Sequence, residues 1–143
     1  MKKMLLSIVL LTVITVQAQK NISPDKVPAG TKNAFAKAHP NVIGKWEMEE
    51  GEYEVSFKEG GKAMSCVIDK NGMIKETETV IPVSELPAPV SDYIAKHYKG
   101  VIVKEAATIV KADGKTIYEA EINGKDVLFD ADGKLLKTKK DND

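Results

Sequence analysis

The sequence predicts an α+β fold: a tandem repeat of a helix plus a four-stranded antiparallel meander, joined into one domain of up to eight strands. Three observations carry this. Residues 27–80 and 86–138 read as two copies of one unit, because Val27-Pro28-Ala29 recurs as Leu86-Pro87-Ala88, an offset of 59 residues set by positions 27 and 86. At the same offset Ala36-Lys37 matches Ala95-Lys96 and Val42-Ile43 matches Val101-Ile102, and a repeat of this length defines the structural unit. Each copy then passes from a helical apolar period to short alternating runs punctuated by glycine turns.

A leader comes first. Lys2 and Lys3 form a positive n-region, Met4 to Val16 an apolar stretch, and Val16-Gln17-Ala18 a small-residue cleavage site, the three parts of an export signal. The apolar run is shorter than the ~20 residues of a membrane-spanning helix. Residues 1–18 are therefore expected to be removed near Ala18, leaving a periplasmic or secreted chain, 19–143, with no membrane attachment.

In the helix of the first copy, Val27, Thr31, Ala34, Phe35 and Ala38 fall at i, i+4, i+7, i+8 and i+11; Leu86, Val90, Tyr93, Ile94 and His97 hold the same positions in the second. Each set makes one stripe. Pro28 and Pro87 suit the first turn, where a missing N–H costs nothing, while Pro40 and Gly100 mark the ends. Strands follow at 42–49, 52–58, 62–68 and 73–80, then at 101–110, 116–122, 125–130 and 134–138. Asn71-Gly72, Asp113-Gly114, Asn123-Gly124 and Asp132-Gly133 supply the positive backbone angles that tight hairpins demand. The two halves should share a sheet, since a ~55-residue unit is marginal alone and the linker 81–85 is short. The helices should cover one sheet face and leave the other wet.

Composition narrows the partners. The whole chain balances 21 basic against 21 acidic residues, so loss of Lys2 and Lys3 leaves −2. Every basic residue is lysine, and without arginine the bidentate fork for phosphate and guanine is missing; nucleic acid is not expected. Lys137, Lys139 and Lys140 read as a solvated, frayed terminus.

No catalytic constellation is visible. Cys66 is the single cysteine, so no internal disulfide can form, and it reads as a buried small apolar residue with no histidine near it in sequence. His39 and His97 end their helices at non-equivalent repeat positions, where a cation is favoured by the helix dipole. Asp69-Lys70-Asn71-Gly72 and Asp130-Ala131-Asp132-Gly133 begin like calcium loops, yet Val67 or Leu128 would stand at the first ligand position and Lys139 at the last of the second, so hairpin turns explain both. Neither metal nor cofactor is expected. The candidate binding residues are Trp46, Glu47, Glu49, Glu52 and Glu54 in the first hairpin. Trp46 is expected in the core beside Val42, Gly44 and Met48, becoming a contact residue only if exposed.

The helix end Phe35-Ala36-Lys37-Ala38-His39-Pro40, the strand Lys45-Trp46-Glu47, the hairpin Gly51-Glu52-Tyr53-Glu54-Val55 and the ending Phe129-Asp130-Ala131-Asp132-Gly133-Lys134-Leu135-Leu136 resemble the PepSY-like family of exported bacterial proteins. The resemblance spans the mature chain and rests on motifs that keep the fold. It implies a fold related to that of the beta-lactamase inhibitory protein. It also implies a non-enzymatic extracytoplasmic protein-binding or inhibitor module, with another extracytoplasmic protein such as a peptidase as partner. The alternative is a small-ligand or divalent-cation-responsive periplasmic binding protein. The outward positions Lys45, Glu47, Glu52, Glu54 and Ser65 lack the aromatic anchors of a tight protein-gripping surface, which argues against a beta-lactamase as the partner.

Overall fold

The computed structural model describes residues 20–140; the leader and its cleavage site near Ala18 lie outside them. One sheet of nine antiparallel strands runs in strict chain order. A short strand, β1 (Lys20–Asn21), is followed by a 3-10 turn at Pro24–Lys26 and helix α1 (Ala29–Ala38). Strands β2 (Lys45–Glu49), β3 (Glu52–Glu59), β4 (Lys62–Ile68) and β5 (Ile74–Ile81) form the first meander. The order then recurs: a 3-10 turn at Val83–Glu85, helix α2 (Ala88–His97), and β6 (Ala106–Lys111), β7 (Thr116–Glu121), β8 (Lys125–Phe129) and β9 (Leu135–Lys140). Strands β5 and β6 pair through six registered positions, Glu76 with Lys111 to Ile81 with Ala106, and this pairing makes the two meanders one sheet.

Three expectations are corrected. There are nine strands and not eight, because Lys20 and Asn21 pair with Met48 and Glu47 on the outer edge of β2; two residues carry no alternation from which to predict a strand. Strands β2 and β6 start several residues later than 42 and 101. The chain must first turn out of each helix, through Asn41 at φ 65° and Gly100 at φ 74°. The lysine-rich end is not frayed: Lys137 and Lys139 lie in β9, opposite Leu128 and Asp126.

Both helices lie on the same kind of surface for the same reason. Val27, Thr31 and Phe35 are buried at the first, Leu86, Val90 and Ile94 at the second, the stripe that the 3.6-residue period requires. Pro28 and Pro87 stand one position earlier than expected, as N-caps without a side-chain cap bond. Contacts with the turn between the third and fourth strands of each meander fix the helix starts. Thr31 Oγ1 donates to the Asp69 carbonyl at 2.8 Å. A Cβ on Gly72 would come within 2.7 Å of the Gly30 carbonyl oxygen, and one on Gly133 within 2.5 Å of that of Pro89. Both glycines also hold positive φ, so backbone meets backbone at each turn where no side chain fits.

Beneath the helices lie two clusters of different composition. The first is aromatic: the Phe35 ring meets Trp46 edge-on at 5.6 Å and Phe57 at 5.0 Å, over Val55, Cys66 and Ile68. The second is mainly aliphatic, with Val90, Ile94, Ala120, Ile122 and Val127 around Phe129. It holds alanines at positions 106 and 120 and no tryptophan.

A candidate binding cleft on the open sheet face

The two-residue period of a strand sends every second side chain away from the helices. Across the ladder these residues form rows: Glu47, Glu54, Val67, Glu76 and Lys111 in one, and Lys45, Ser56, Ser65, Glu78 and Ile109 in the next. Further along, Val80, Ala107, Glu119, Leu128 and Lys137 stand in register, beside Glu121, Asp126 and Lys139. The face is rich in carboxylates.

It is also strongly curved. Strands β3 and β9 are six steps apart in the sheet, about 29 Å if it were flat, yet Glu49, Glu54 and Lys139 line one cleft. That cleft, of about 310 Å³, is walled by Glu54, Glu76, Glu78, Glu105, Glu119, Glu121 and Asp126, with Lys139 at its side. Its neighbour, about 430 Å³, takes in Glu49, Glu50, Glu52, Lys75 and Lys137. Curvature also seals part of this face: Ala107, Ile109 and Leu128 are 1–7% exposed although no helix covers them, a departure from a wholly wet surface.

Burial sets the electrostatics. Desolvation pushes Glu78 up to about 7, helped by the charges of Glu54, Asp126, Glu105 and Glu76. Glu119 rises further, to about 8, through desolvation and then the charge of Glu78, which ionises first; Lys139 opposes the shift. Glu54 is raised more modestly by burial, with a Ser65 hydrogen bond working the other way. Near neutral pH the cleft thus holds a mixture of protonated and charged carboxyls, a state that a nearby cation would convert to fully charged.

The residues singled out from sequence separate between two faces. Trp46, 6% exposed, packs under α1, so it does not join the acidic group and offers no contact surface. Glu47 and Glu54 are neighbours in the ladder; Glu47 is paired with Lys45 at 2.8 Å. Glu52 accepts from Lys75 at 2.9 Å through Oε1, while its buried Oε2 has no hydrogen-bond partner among the described residues. Glu49 lies beside both clefts. The second half of the site, Glu76, Glu78, Glu105, Glu119, Glu121 and Asp126, was not anticipated. Its signal was present: Glu76-Thr77-Glu78-Thr79 and Glu119-Ala120-Glu121 alternate with period two, but only the register across the four strands β5 to β8 brings them together.

A second grouping was also missed. His39 Nδ1 lies 2.8 Å from Glu59 Oε2 and its Nε2 3.6 Å from Cys66 Sγ, with the Thr77 hydroxyl 3.5 Å from the same sulfur. The carboxylate calls for a proton on Nδ1, which leaves Nε2 to accept from the thiol. Carboxylate, imidazole and thiol stand in the order used by cysteine nucleophiles. Here, however, Cys66 is 0% exposed, burial pushes its thiol up, and Phe35 and Phe57 flank the imidazole. As folded, the chain of bonds ties the end of α1 to β3 and β4. His97 stacks on Tyr93 at 4.2 Å. In the Asp-rich turns, Asp69 Oδ1 accepts from the Asn71 and Met73 amides and Asp130 Oδ1 from Asp132 and Lys134; these carboxylates hold the hairpins.

Solved structures share this architecture. A protein from Bacteroides eggerthii, named as periplasmic, superimposes with a TM-score of 0.72 at 16% identity, over 79% of this chain and 88% of its own. A DUF2874 family protein from Bacteroides uniformis gives 0.71 at 19% identity over 80% and 90%. A BLIP-like protein from Bacteroides fragilis gives 0.65 at 23% identity over 81% and 88%. At such identities the likeness concerns the fold. No curated protein matches the chain. No described helix is long and apolar enough to cross a membrane. A family model described as beta-lactamase-inhibitor-like, PepSY-like matches residues 51–137. That match takes in most of both meanders and the second helix, and with it the chain belongs to the PepSY-like family.

Proposed function

We propose that this chain is a non-enzymatic extracytoplasmic protein-binding or inhibitor module, built by duplication of a helix–meander unit, and that the curved open face of the sheet is its working surface. One observation carries the reading: the cleft keeps carboxylates half-buried among one another, with Glu78 and Glu119 raised to about 7 and 8. Neutral side chains would serve the fold better there, and groups held against their own solvation concentrate at functional sites. The leader Met1 to Ala18 and the likeness to a protein named as periplasmic support an extracytoplasmic address, where another protein such as a peptidase would be met.

The test is capture. Mature protein, immobilised and crosslinked in an extract of its own cell envelope, should retain a specific partner that a folded Glu78→Lys/Glu119→Lys variant does not. Retention of the same proteins by both, or of none, contradicts the reading. The cation-responsive alternative has less support, because Asp69 and Asp130 already spend a carboxylate oxygen on two backbone amides each. A rise in melting temperature with millimolar calcium over a chelator control would revive it.

A further inference from the structure

The acidic cleft does not end at its carboxylates. It adjoins a shallow hollow of about 630 Å³ whose wall includes Ile43, Ala63 and Val80, and Glu54, Ser65 and Glu78 line both spaces. Ile43 is 94% exposed, a large apolar side chain standing in water beside a concentration of negative charge. Isolated surface apolar residues mean little; this one forms the rim of a concavity that shares three residues with the acidic cleft.

We propose that this face receives a basic amphipathic segment of another protein, with a lysine or arginine between Glu78 and Glu119 and an apolar neighbour on Ile43 and Val80. The inference rests on the reading of the sheet face as the working surface and specifies its partner. Charge complementarity carries it. Around the two glutamates stand Glu49 and Glu54 on β2 and β3, Glu76 on β5, Glu105 ahead of β6, Glu121 on β7 and Asp126 on β8, against Lys139 on β9 and against Lys111 and Lys104, which pair with Glu76 and Glu121. A cation lowers the repulsion felt by Glu78 and Glu119, whereas an acidic segment would add to it.

Spacing separates a polypeptide from a bare ion. Glu78 and Glu119 stand on strands two apart, β5 and β7, and two residues out of register with each other, and the described residues hold no group of three or more ligating side chains close enough for a metal. Separated charges with an apolar shelf beside them match side chains spaced along a chain. Because Glu78 and Glu119 are raised by burial, the cation also draws protons off them, and affinity should climb from about pH 6 to about pH 9 while lysine stays charged.

Short fluorescent peptides test this by anisotropy against the mature protein. A peptide of alternating lysine and leucine should bind, one of lysine and serine about tenfold more weakly, and one of glutamate and leucine not measurably. Glu78→Gln/Glu119→Gln, which preserves shape, should weaken the lysine–leucine peptide about tenfold. Ile43→Ser, at a nearly fully exposed position, should weaken it while leaving the lysine–serine peptide unchanged. Equal binding of the acidic and basic peptides, or undiminished binding by the double glutamine variant, overturns the proposal. If those results accompany successful envelope capture, the sheet-face reading stands and the basic amphipathic partner falls.

Discussion

The two faces of the sheet follow opposite rules. Toward the helices, Val55, Cys66, Ile68, Ala120 and Phe129 are fully buried, and helix stripe and turn glycine have counterparts in both halves. Away from the helices, carboxylates crowd a curved surface, and the halves match only in part: Glu54 and Glu119 hold equivalent places, paired with Val67 and Leu128, but Ser56 and Ser65 stand in one half where the other has Glu121 and Asp126. The covered face is arranged for cohesion. The open face carries a group of like charges that works against the stability of its own fold, and that contrast supports the proposal that this side meets a partner.

Substitutions can break or sharpen this contrast, and the largest effect belongs to the covered face. Phe129→Ala should cost about 3–5 kcal/mol, read as a shift in denaturant midpoint, since Phe129 is 0% exposed at the centre of the second cluster. Next comes the backbone contact at the helix start. Gly133→Ala combines φ 78° with a Cβ 2.5 Å from the Pro89 carbonyl oxygen and should cost about 2–4 kcal/mol. Gly124→Ala, at φ 66° but with nothing within 4 Å, should cost only about 1 kcal/mol.

On the open face the sign reverses. Glu78 and Glu119 bind protons more tightly folded than unfolded, because burial raises both from 4.5, to about 7 and about 8. The folded state therefore holds more protons between pH 4.5 and about 8, and stability falls as pH rises through that window. Glu78→Gln/Glu119→Gln should stabilise by roughly 2 kcal/mol at about pH 8.5, after allowance for solvent screening, and by little near pH 4.5. The smallest effect is at the rim, where Lys45→Ala, 67% exposed in its pair with Glu47, should stay within about 0.5 kcal/mol in a chemical melt.

How much of this was legible in the sequence follows the same division. The helix stripes, the hairpin glycines and the strand face that Trp46 shares with Val42, Gly44 and Met48 are local patterns, and from them both helices, the meanders and the burial of Trp46 could be read. What depended on register was not legible. Strand β1 is two residues with no pattern, and His39, Cys66 and Glu59 meet only because α1 crosses β3 and β4. The acidic cleft needed the alignment of strands from β2 to β9 and a curvature that no local period encodes. The first acidic hairpin, Glu47 to Glu54, drew attention as a dense run, while Glu78 and Glu119, separated by 41 positions in the chain, did not.

The open face holds its carboxylates at the expense of the fold. The most direct test is the melting temperature of mature wild type and Glu78→Gln/Glu119→Gln, each followed from about pH 4.5 to about pH 8.5. The variant should melt higher at the alkaline end, with the gap closing toward the acid end. A variant that melts at or below wild type across the whole range would contradict it.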